Sequence, residues 1–288
     1  MFKYILVPAT GTDADLPVFR TAVALGRLHG GHLVFLHVRL DVQKLIVPIA
    51  SAEFGGGAGI GEYIEALEQD ALARHDRAKS AVYAFCAGQK IVMSRTPVDG
   101  SPTAEWLVET GDEADWLARL GRAADVVVVG RVRDDEAAAV DVLDATLMEA
   151  GRPLLIVPPQ PPPQIGQVLA IAWKDTPEAA GAVTAALPLL AEARRVVILS
   201  VTEDVQADPA ACERLREALT WHNVATTVQH LAPEGLQPAD RLLKTATEIG
   251  TDLLVMGGYS HSRRREVVFG GFTRRVLRTA NLPVLMAH

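Results

Sequence analysis

The chain has 288 residues, a formal net charge of −7 and an apolar fraction of 49% with only 5% aromatic residues. Its length allows one large or two ordinary domains, and its negative charge argues against a general nucleic-acid-binding protein. The abundance of Ala, Val and Leu favours helices packed on parallel strands over an antiparallel sandwich.

The first half of the chain alternates short apolar runs with amphipathic helical patterns. We predict a first helix over 16–29 that stops at Gly30, and a long charged helix over 62–87. Between strand 33–38 and that helix, the segment 41–61 is expected to be an irregular flap or an interface, with a flexible glycine run at 54–59. The remaining predicted elements are strands at 5–7, 91–93, 104–108, 126–129 and 153–157, and helices over 112–120 and from the turn after Gly130 to Ala150.

A proline-rich stretch, Pro158-Pro159-Gln160-Pro161-Pro162-Pro163-Gln164, separates this half from the next. Such a run cannot join a helix or a sheet interior and behaves as an extended spacer. We therefore predict domains at 1–158 and 166–288, joined by a linker at 159–165.

The second half repeats the pattern of the first. The run Ala124–Gly130 aligns with Thr251–Gly257, and each is followed by a helix and a proline-led apolar strand. The predicted elements of this half are strands at 168–172, 196–201, 225–230, 253–256 and 283–286, with helices at 177–193, 209–222, 238–249 and 273–279. The fold prediction is α/β, with two tandem domains, each a five-stranded parallel open sheet with helices on both faces.

Open parallel sheets bind ligands at the carboxyl ends of their strands, where strand order reverses. In the second half, Asp175, Val201 and the pair Gly257-Gly258 follow such strand ends. A second glycine pair, Gly270-Gly271, opens a helix, and backbone N–H groups at a helix N-terminus suit a phosphate. A tight strand-to-helix connection without a ligand is the alternative. For Asp175, a ribose or base contact and a helix N-cap both stay open.

The run from Met256-Gly257-Gly258-Tyr259-Ser260 through Gly270-Gly271-Phe272-Thr273 to Pro283-Val284-Leu285 resembles the C-terminal signature of the universal stress protein family. The whole chain is similar to a tandem member of that family. The resemblance implies an adenine-nucleotide-alpha-hydrolase-like fold.

ATP-binding members of that family carry G-x2-G-x9-G-[ST] and an aspartate after the first strand. On this resemblance Gly257 and Gly270 match the first and the later glycine, Asp175 matches the aspartate, and Val201 matches the second-strand position whose backbone faces the base. Two positions depart from the pattern. Ser260 replaces the second glycine, and Gly271 replaces the hydroxyl residue, although Gly271 and Phe272 still offer backbone N–H groups.

The resemblance implies ATP, with magnesium, as a ligand of the C-terminal half only. In the N-terminal half Gly130 keeps the first glycine position, but Arg133 stands at the second and Thr10 at the aspartate. The carboxylates of Asp141 and Asp144 occupy the region of the phosphate loop and would repel ATP. We therefore expect the N-terminal half to be nucleotide-free.

The sequence contains no recognised catalytic motif, and its histidines do not have the spacing of metal ligands. We therefore predict no catalytic and no metal-binding residue. The main hypothesis is a non-enzymatic stress-response binding or signalling protein. The alternatives are a slow ATPase that uses Asp175 and the loop Arg263–Arg265, and a protein that binds another small ligand under 41–61. Besides unidentified protein partners, the resemblance implies self-association. The last strands at 153–157 and 283–287 would pair within the chain as a pseudo-dimer, or between two chains as a homodimer.

The expected location is the cytoplasm. Cys86 and Cys212 lie far apart in helical patterns and are typical of buried thiols in a reducing compartment. The N-terminal residues lack the features of a signal peptide, and no apolar run approaches the roughly 20 residues of a membrane span.

Overall fold

The computed structural model describes residues 1–42, 44, 57–98, 100–131, 137–201, 210–232, 234–259 and 271–288. The strands are β1 (Tyr4–Pro8), β2 (His32–Arg39), β3 (Val92–Met93), β4 (Thr103–Thr110), β5 (Val126–Gly130), β6 (Leu154–Val157), β7 (Val168–Ala172), β8 (Arg195–Val201), β9 (Thr226–Leu231), β10 (Leu253–Gly257) and β11 (Val284–Ala287). The helices are α1 (Asp15–His29), α2 (Gly57–Gln89), α3 (Glu113–Gly121), α4 (Ala137–Glu149), α5 (Pro177–Leu190), α6 (Ala210–Thr220), α7 (Pro238–Glu248) and α8 (Gly271–Thr279).

All of these strands belong to one 11-stranded sheet in the order β3-β4-β2-β1-β5-β6-β11-β10-β7-β8-β9. Neighbouring strands are parallel within each half, and β6 and β11 are antiparallel, with Leu155 opposite Leu285. The last strands of the two halves therefore pair within the chain. Of the two arrangements that the sequence left open, the structure has the pseudo-dimer.

Helices cover both faces of the sheet, as predicted. One face is packed by α1, α2, α5 and α6, for example through Phe19, Val82 and Leu215. The other face is packed by α3, α4, α7 and α8, for example through Leu147 and Leu242. Burial on both faces explains the continuous apolar strands such as Val126–Val129, in which every residue is at most 6% exposed.

The structure corrects two predictions in the N-terminal half. Helix α2 begins at Gly57, so residues 57–59 of the glycine run that we expected to be flexible are helical. The rest of the expected flap at 41–61 lies largely outside the described residues. The described part of this half also contains six strands and not the five of the fold prediction, because the strand predicted at 91–93 forms the two-residue edge strand β3 beside β4. The predicted end of α1 is confirmed, since Gly30 adopts the left-handed conformation with φ of 59°.

The aspartates of the sequence repeat hold corresponding positions in the two halves. The Asp125 carboxylate accepts hydrogen bonds from the backbone N–H groups of Lys3 (2.6 Å) and Tyr4 (2.9 Å) at the start of β1. The Asp252 carboxylate accepts hydrogen bonds from the backbone N–H groups of Gly166 (2.8 Å), Gln167 and Val168 (2.9 Å) at the start of β7. Each aspartate thus ties the strand that follows it to the first strand of its own half.

None of the helices that the structure describes is both long enough and apolar enough to span a lipid bilayer.

Candidate functional site

The carboxyl ends of β7, β8 and β10 lie side by side in the C-terminal half. Met256 is paired with Ala172, and Ala172 is paired with Leu199. The Trp173 N–H continues the ladder by donating to the Leu199 carbonyl at 2.8 Å. Because β8 and β10 flank β7 on opposite sides, strand order reverses here, and a crevice between β7 and β10 is the expected ligand position in such a sheet.

Asp175 lies three residues beyond β7, and its side chain is 63% exposed. Its carboxylate accepts a hydrogen bond at 3.0 Å from the guanidinium of Arg214 on α6. The N-cap of α5 is instead Thr176, whose hydroxyl accepts from the Ala179 N–H at 3.3 Å. The N-cap interpretation of Asp175 is therefore wrong. Its carboxylate faces solvent and the guanidinium of Arg214.

The glycines after β10 are in close contact with protein atoms. A Cβ at Gly257 would lie 2.5 Å from the Ala179 backbone nitrogen and 2.7 Å from the Glu178 carbonyl carbon, both in the first turn of α5. A Cβ at Gly258 would lie 2.8 Å from the sulfur of Met286 and 3.0 Å from a methyl group of Leu147. The backbone of α5 is thus sufficient to require glycine at position 257, whereas a side chain at position 258 would displace the side chains of Met286 and Leu147.

The next residue, Tyr259, joins the two halves. Its hydroxyl donates a hydrogen bond to the carboxylate of Asp144 on α4, and its backbone has a positive φ of 56°. Burial, and then the Asp144 carboxylate, raise the pKa of Tyr259. Asp144 is itself only 8% exposed. We predicted that Asp144 stands in the phosphate loop of the N-terminal half; it instead accepts a bond from the C-terminal half.

A corresponding contact runs in the opposite direction. Arg131 is the first residue after β5, just as Gly258 is the first residue after β10. The Arg131 guanidinium donates a hydrogen bond at 2.6 Å to the carbonyl of Ala280, the residue that follows α8. The turns after both central strands therefore contact the helical layer of the other half.

Helix α8 begins next to the Gly257-Gly258 turn. The Tyr259 N–H donates to the Thr273 hydroxyl at 3.4 Å. Gly271, the first residue of α8, is exposed, and a Cβ on it would have no described atom within 4 Å. Phe272 is half-buried and packs against the core under α8. Ser260, Gly270 and the arginine loop 263–265 lie outside the described residues.

In the N-terminal half, the corresponding turn after β1 is in contact with polar side chains and with α2. Asp15, only 5% exposed, accepts hydrogen bonds from the N–H (3.0 Å) and hydroxyl (2.7 Å) of Thr10 and from the Gly11 N–H (2.8 Å). A Cβ at Gly11 would lie 2.6 Å from the Arg74 carbonyl oxygen, because α2 crosses this turn. The buried His37 ring bonds the Ala9 carbonyl at 2.7 Å and stacks on Trp106.

The sequence of each half matches the model of the universal stress protein family, over residues 1–158 and 167–288. The chain belongs to the universal stress protein family. A universal stress protein of Synechocystis sp. is 26% identical over 302 residues, a match that covers 98% of this chain and 99% of the relative.

Solved structures of universal stress proteins share the fold of the whole chain. One from Archaeoglobus fulgidus superposes with a TM-score of 0.68 at 14% identity, covering 98% of this chain and 97% of the other. A putative universal stress protein from Pseudomonas aeruginosa superposes with a TM-score of 0.55 at 13% identity, covering 99% and 93%. At these identities the likeness concerns the fold alone.

Sequence reasoning from the universal stress protein signature did not find Arg214 or Tyr259 as contacts at this edge. Arg214 lies on a helix that follows residues 202–209, and no motif marks it. Tyr259 adjoins the first glycines, but its bond to Asp144 joins residues 115 positions apart. Of the residues that the signature predicted, the structure places Asp175, Val201 and Gly257 at one edge, with Gly271 and Phe272 at the start of α8.

Proposed function

We propose that the C-terminal half binds ATP, with magnesium, at the edge formed by β7, β8, β10 and the start of α8. We also propose that the N-terminal half is nucleotide-free. In this proposal the chain is a cytoplasmic stress-response protein that acts by binding or signalling, not by turning over a substrate. Both cysteines are buried free thiols, in keeping with a reducing compartment.

The observation that carries the proposal is the convergence of a carboxylate, strand ends and a helix N-terminus at one switch point. Asp175 follows β7, Gly257 ends the neighbouring β10, and the Tyr259–Thr273 hydrogen bond brings the start of α8 to the same edge. The backbone N–H groups of Gly271 and Phe272 belong to the first turn of α8. They would meet the phosphates there, aided by the positive end of the helix dipole.

Asp175 and Arg214 supply opposite charges at the other side of the crevice. The side chains of this ion pair are 63% and 55% exposed, and such pairs contribute at most about 1 kcal/mol. A nucleotide can therefore replace the pair at small cost. The Asp175 carboxylate would then accept hydrogen bonds from the ribose hydroxyl groups, and the Arg214 guanidinium would face the negative charge of the nucleotide.

Two features of the N-terminal half support its nucleotide-free role. The first is the turn after β1, where the Asp15 carboxylate is already engaged by three donors from Thr10 and Gly11. The second is the passage of α2 directly over Gly11. Both features lie at the turn after β1, which corresponds to the turn that holds Asp175 in the proposed ATP site.

Isothermal titration with ATP and magnesium tests the proposal. We expect wild-type protein to bind with micromolar affinity and Asp175→Ala to weaken binding at least tenfold. The matched control Asp13→Ala, at an exposed position of the corresponding N-terminal turn, should bind as wild type does. The absence of binding by wild type, or equal weakening by Asp13→Ala, would contradict the proposal.

Gly257 variants are unsuitable for this test, because a side chain there collides with α5 whether or not a nucleotide binds. Phosphate release from ATP, followed in the same samples, tests the non-enzymatic role. Turnover that falls in Asp175→Ala would identify a slow ATPase instead.

A further inference from the structure

The proline-rich stretch after β6 forms one wall of a groove, and α1 forms the other wall. The linker contributes the rings of the prolines at 159 and 161–163, and α1 contributes Thr21 and Ala24 among others. The cavity between helix and linker has a volume of about 380 Å³. Small-molecule sites commonly enclose about 300–1,000 Å³, so this groove has room for a small organic ligand.

The walls of the groove are largely apolar. Besides the proline rings they include Ile165, which is only 6% exposed. Proline has no backbone N–H group, so the linker wall offers mainly carbonyl acceptors. The Thr21 hydroxyl already donates to the Pro17 carbonyl at 2.9 Å. Among the described residues that line the groove, Arg20 and Gln160 are therefore the ones whose side-chain donors stay available to a ligand.

The Arg20 side chain is exposed, and no residue that the structure describes accepts a hydrogen bond from its guanidinium or forms an ion pair with it. Arg27, further along α1, instead donates to the Gln89 carbonyl at 3.0 Å. A guanidinium can bind a carboxylate through two parallel hydrogen bonds, and neighbouring apolar groups strengthen the attraction by excluding water. Charge complementarity at this groove therefore selects an organic anion.

The proline wall favours an aromatic body for this anion. Consecutive prolines form a stiff extended segment, so the wall loses little conformational freedom when a ligand binds. Proline-rich segments also dock against aromatic rings in several recognition domains. We propose that the groove binds a small aromatic carboxylate, whose ring lies on the proline wall and whose carboxylate accepts hydrogen bonds from Arg20. The Gln160 amide is a second donor at the same groove.

The groove is separate from the proposed ATP site, because none of the residues that line it takes part in that site. In this proposal the proline-rich stretch is more than a spacer, since it supplies a wall of a ligand site. The proposal does not depend on ATP binding, and its test contains no nucleotide.

Isothermal titration of the full chain with naphthoate, and with naphthylmethanol as its neutral analogue, tests the proposal. We expect naphthoate to bind at one site with a dissociation constant of about 1 mM or below. Naphthylmethanol should bind at least about fivefold more weakly, because it lacks the charge that pairs with Arg20. Arg20→Gln should reduce the affinity for naphthoate to that for naphthylmethanol and leave the affinity for naphthylmethanol unchanged. The matched control Arg27→Gln removes the same charge from the same helix and should bind both compounds as wild type does.

Ala24→Leu provides a second test, because the larger side chain occupies the groove and should weaken the binding of both compounds. Far-UV circular dichroism would verify that the variants are folded, which is expected for Arg20→Gln because that side chain is exposed. No saturable binding of naphthoate by wild type would overturn the proposal, and so would equal affinities for the two compounds. Equal losses in Arg20→Gln and Arg27→Gln would also overturn it. Binding that a folded Ala24→Leu variant retains would mean that the ligand lies elsewhere, which contradicts the proposal as well.

Discussion

The Tyr259 hydroxyl donates a hydrogen bond to the Asp144 carboxylate, and this bond crosses from the C-terminal to the N-terminal half of the sheet. Asp144 is buried, so removal of the donor takes a partner from a buried charge. Tyr259→Phe should therefore lower the free energy of unfolding by about 1–3 kcal/mol in denaturant titrations. Tyr83→Phe, on the exposed side of α2, is the matched control and should change it by less than about 0.5 kcal/mol. Equal stabilities of the two variants would contradict this role.

The same bond predicts a dependence on alkaline pH. The pKa of Tyr259 is raised in the folded state, so its contribution is present below the unfolded value of about 10 and is lost as pH rises above it. The stability difference between wild type and Tyr259→Phe should therefore shrink between roughly pH 9 and pH 11. The comparison cancels the contributions of the other titrating groups. A difference that stays constant over this range would count against it.

Gly257 and Gly130 occupy the same position in the sequence repeat, but their surroundings differ. A Cβ at Gly257 would lie 2.5 Å from the Ala179 backbone nitrogen, whereas one at Gly130 would meet, among the described atoms, only a Val18 methyl group at 3.4 Å. Gly257→Ala should cost about 1–3 kcal/mol of unfolding free energy, as overpacking does, and Gly130→Ala much less. Thermal and denaturant unfolding measure both. Equal costs would mean that α5 yields to the added methyl group.

Asp252 accepts three backbone N–H groups at the start of β7, whereas the exposed Asp175 accepts one bond from Arg214. Asp252→Ala leaves those donors without their carboxylate and should lower the unfolding free energy by about 1–3 kcal/mol. Asp175→Ala removes only a surface ion pair and should cost less than about 1 kcal/mol. If both variants unfold at the same denaturant concentration, the carboxylate of Asp252 is not what holds β7 in place.

The buried His37 predicts a loss of stability in mild acid. Burial lowers its pKa, and nearby His75 and Arg74 lower it further, while the hydrogen bond to the Ala9 carbonyl opposes the shift. Its contribution is therefore present above the unfolded value of about 6.5 and is lost as pH falls below it. Glu113 acts in the opposite sense, because burial and the Asp15 charge raise its pKa.

Between roughly pH 7 and pH 5, unfolding free energy should fall less steeply in His37→Gln than in wild type. The exposed His230→Gln should retain the wild-type slope. A wild-type slope in His37→Gln would remove this histidine from the explanation.

Much of the fold was predictable because burial leaves a local pattern. The continuous apolar runs Val126–Val129 and Leu253–Met256 predict strands that are buried on both faces. Because the two runs align with each other, they also predict two similar halves. Gly30, in the left-handed conformation, ends α1 as expected. These features depend on neighbours within a few residues, which the sequence displays directly.

The site was less predictable because its contacts join distant residues. That Thr176, and not Asp175, caps α5 depends on the backbone conformation of one residue. That α2 crosses Gly11, and that Arg214 reaches Asp175, depends on how helices pack on the sheet. The sequence leaves open whether the glycines after β10 bind a phosphate or only allow a tight connection, and the contact of Gly257 with Ala179 shows that packing alone also demands glycine at position 257.

We propose that this tandem universal stress protein holds one ATP per chain, in its C-terminal half. Native mass spectrometry of the purified protein with ATP and magnesium tests it most directly, because it counts bound nucleotides. We expect one nucleotide per chain for wild type and for Asp13→Ala, and a large loss of the bound form for Asp175→Ala. Two nucleotides per chain, or none in wild type, would contradict the account.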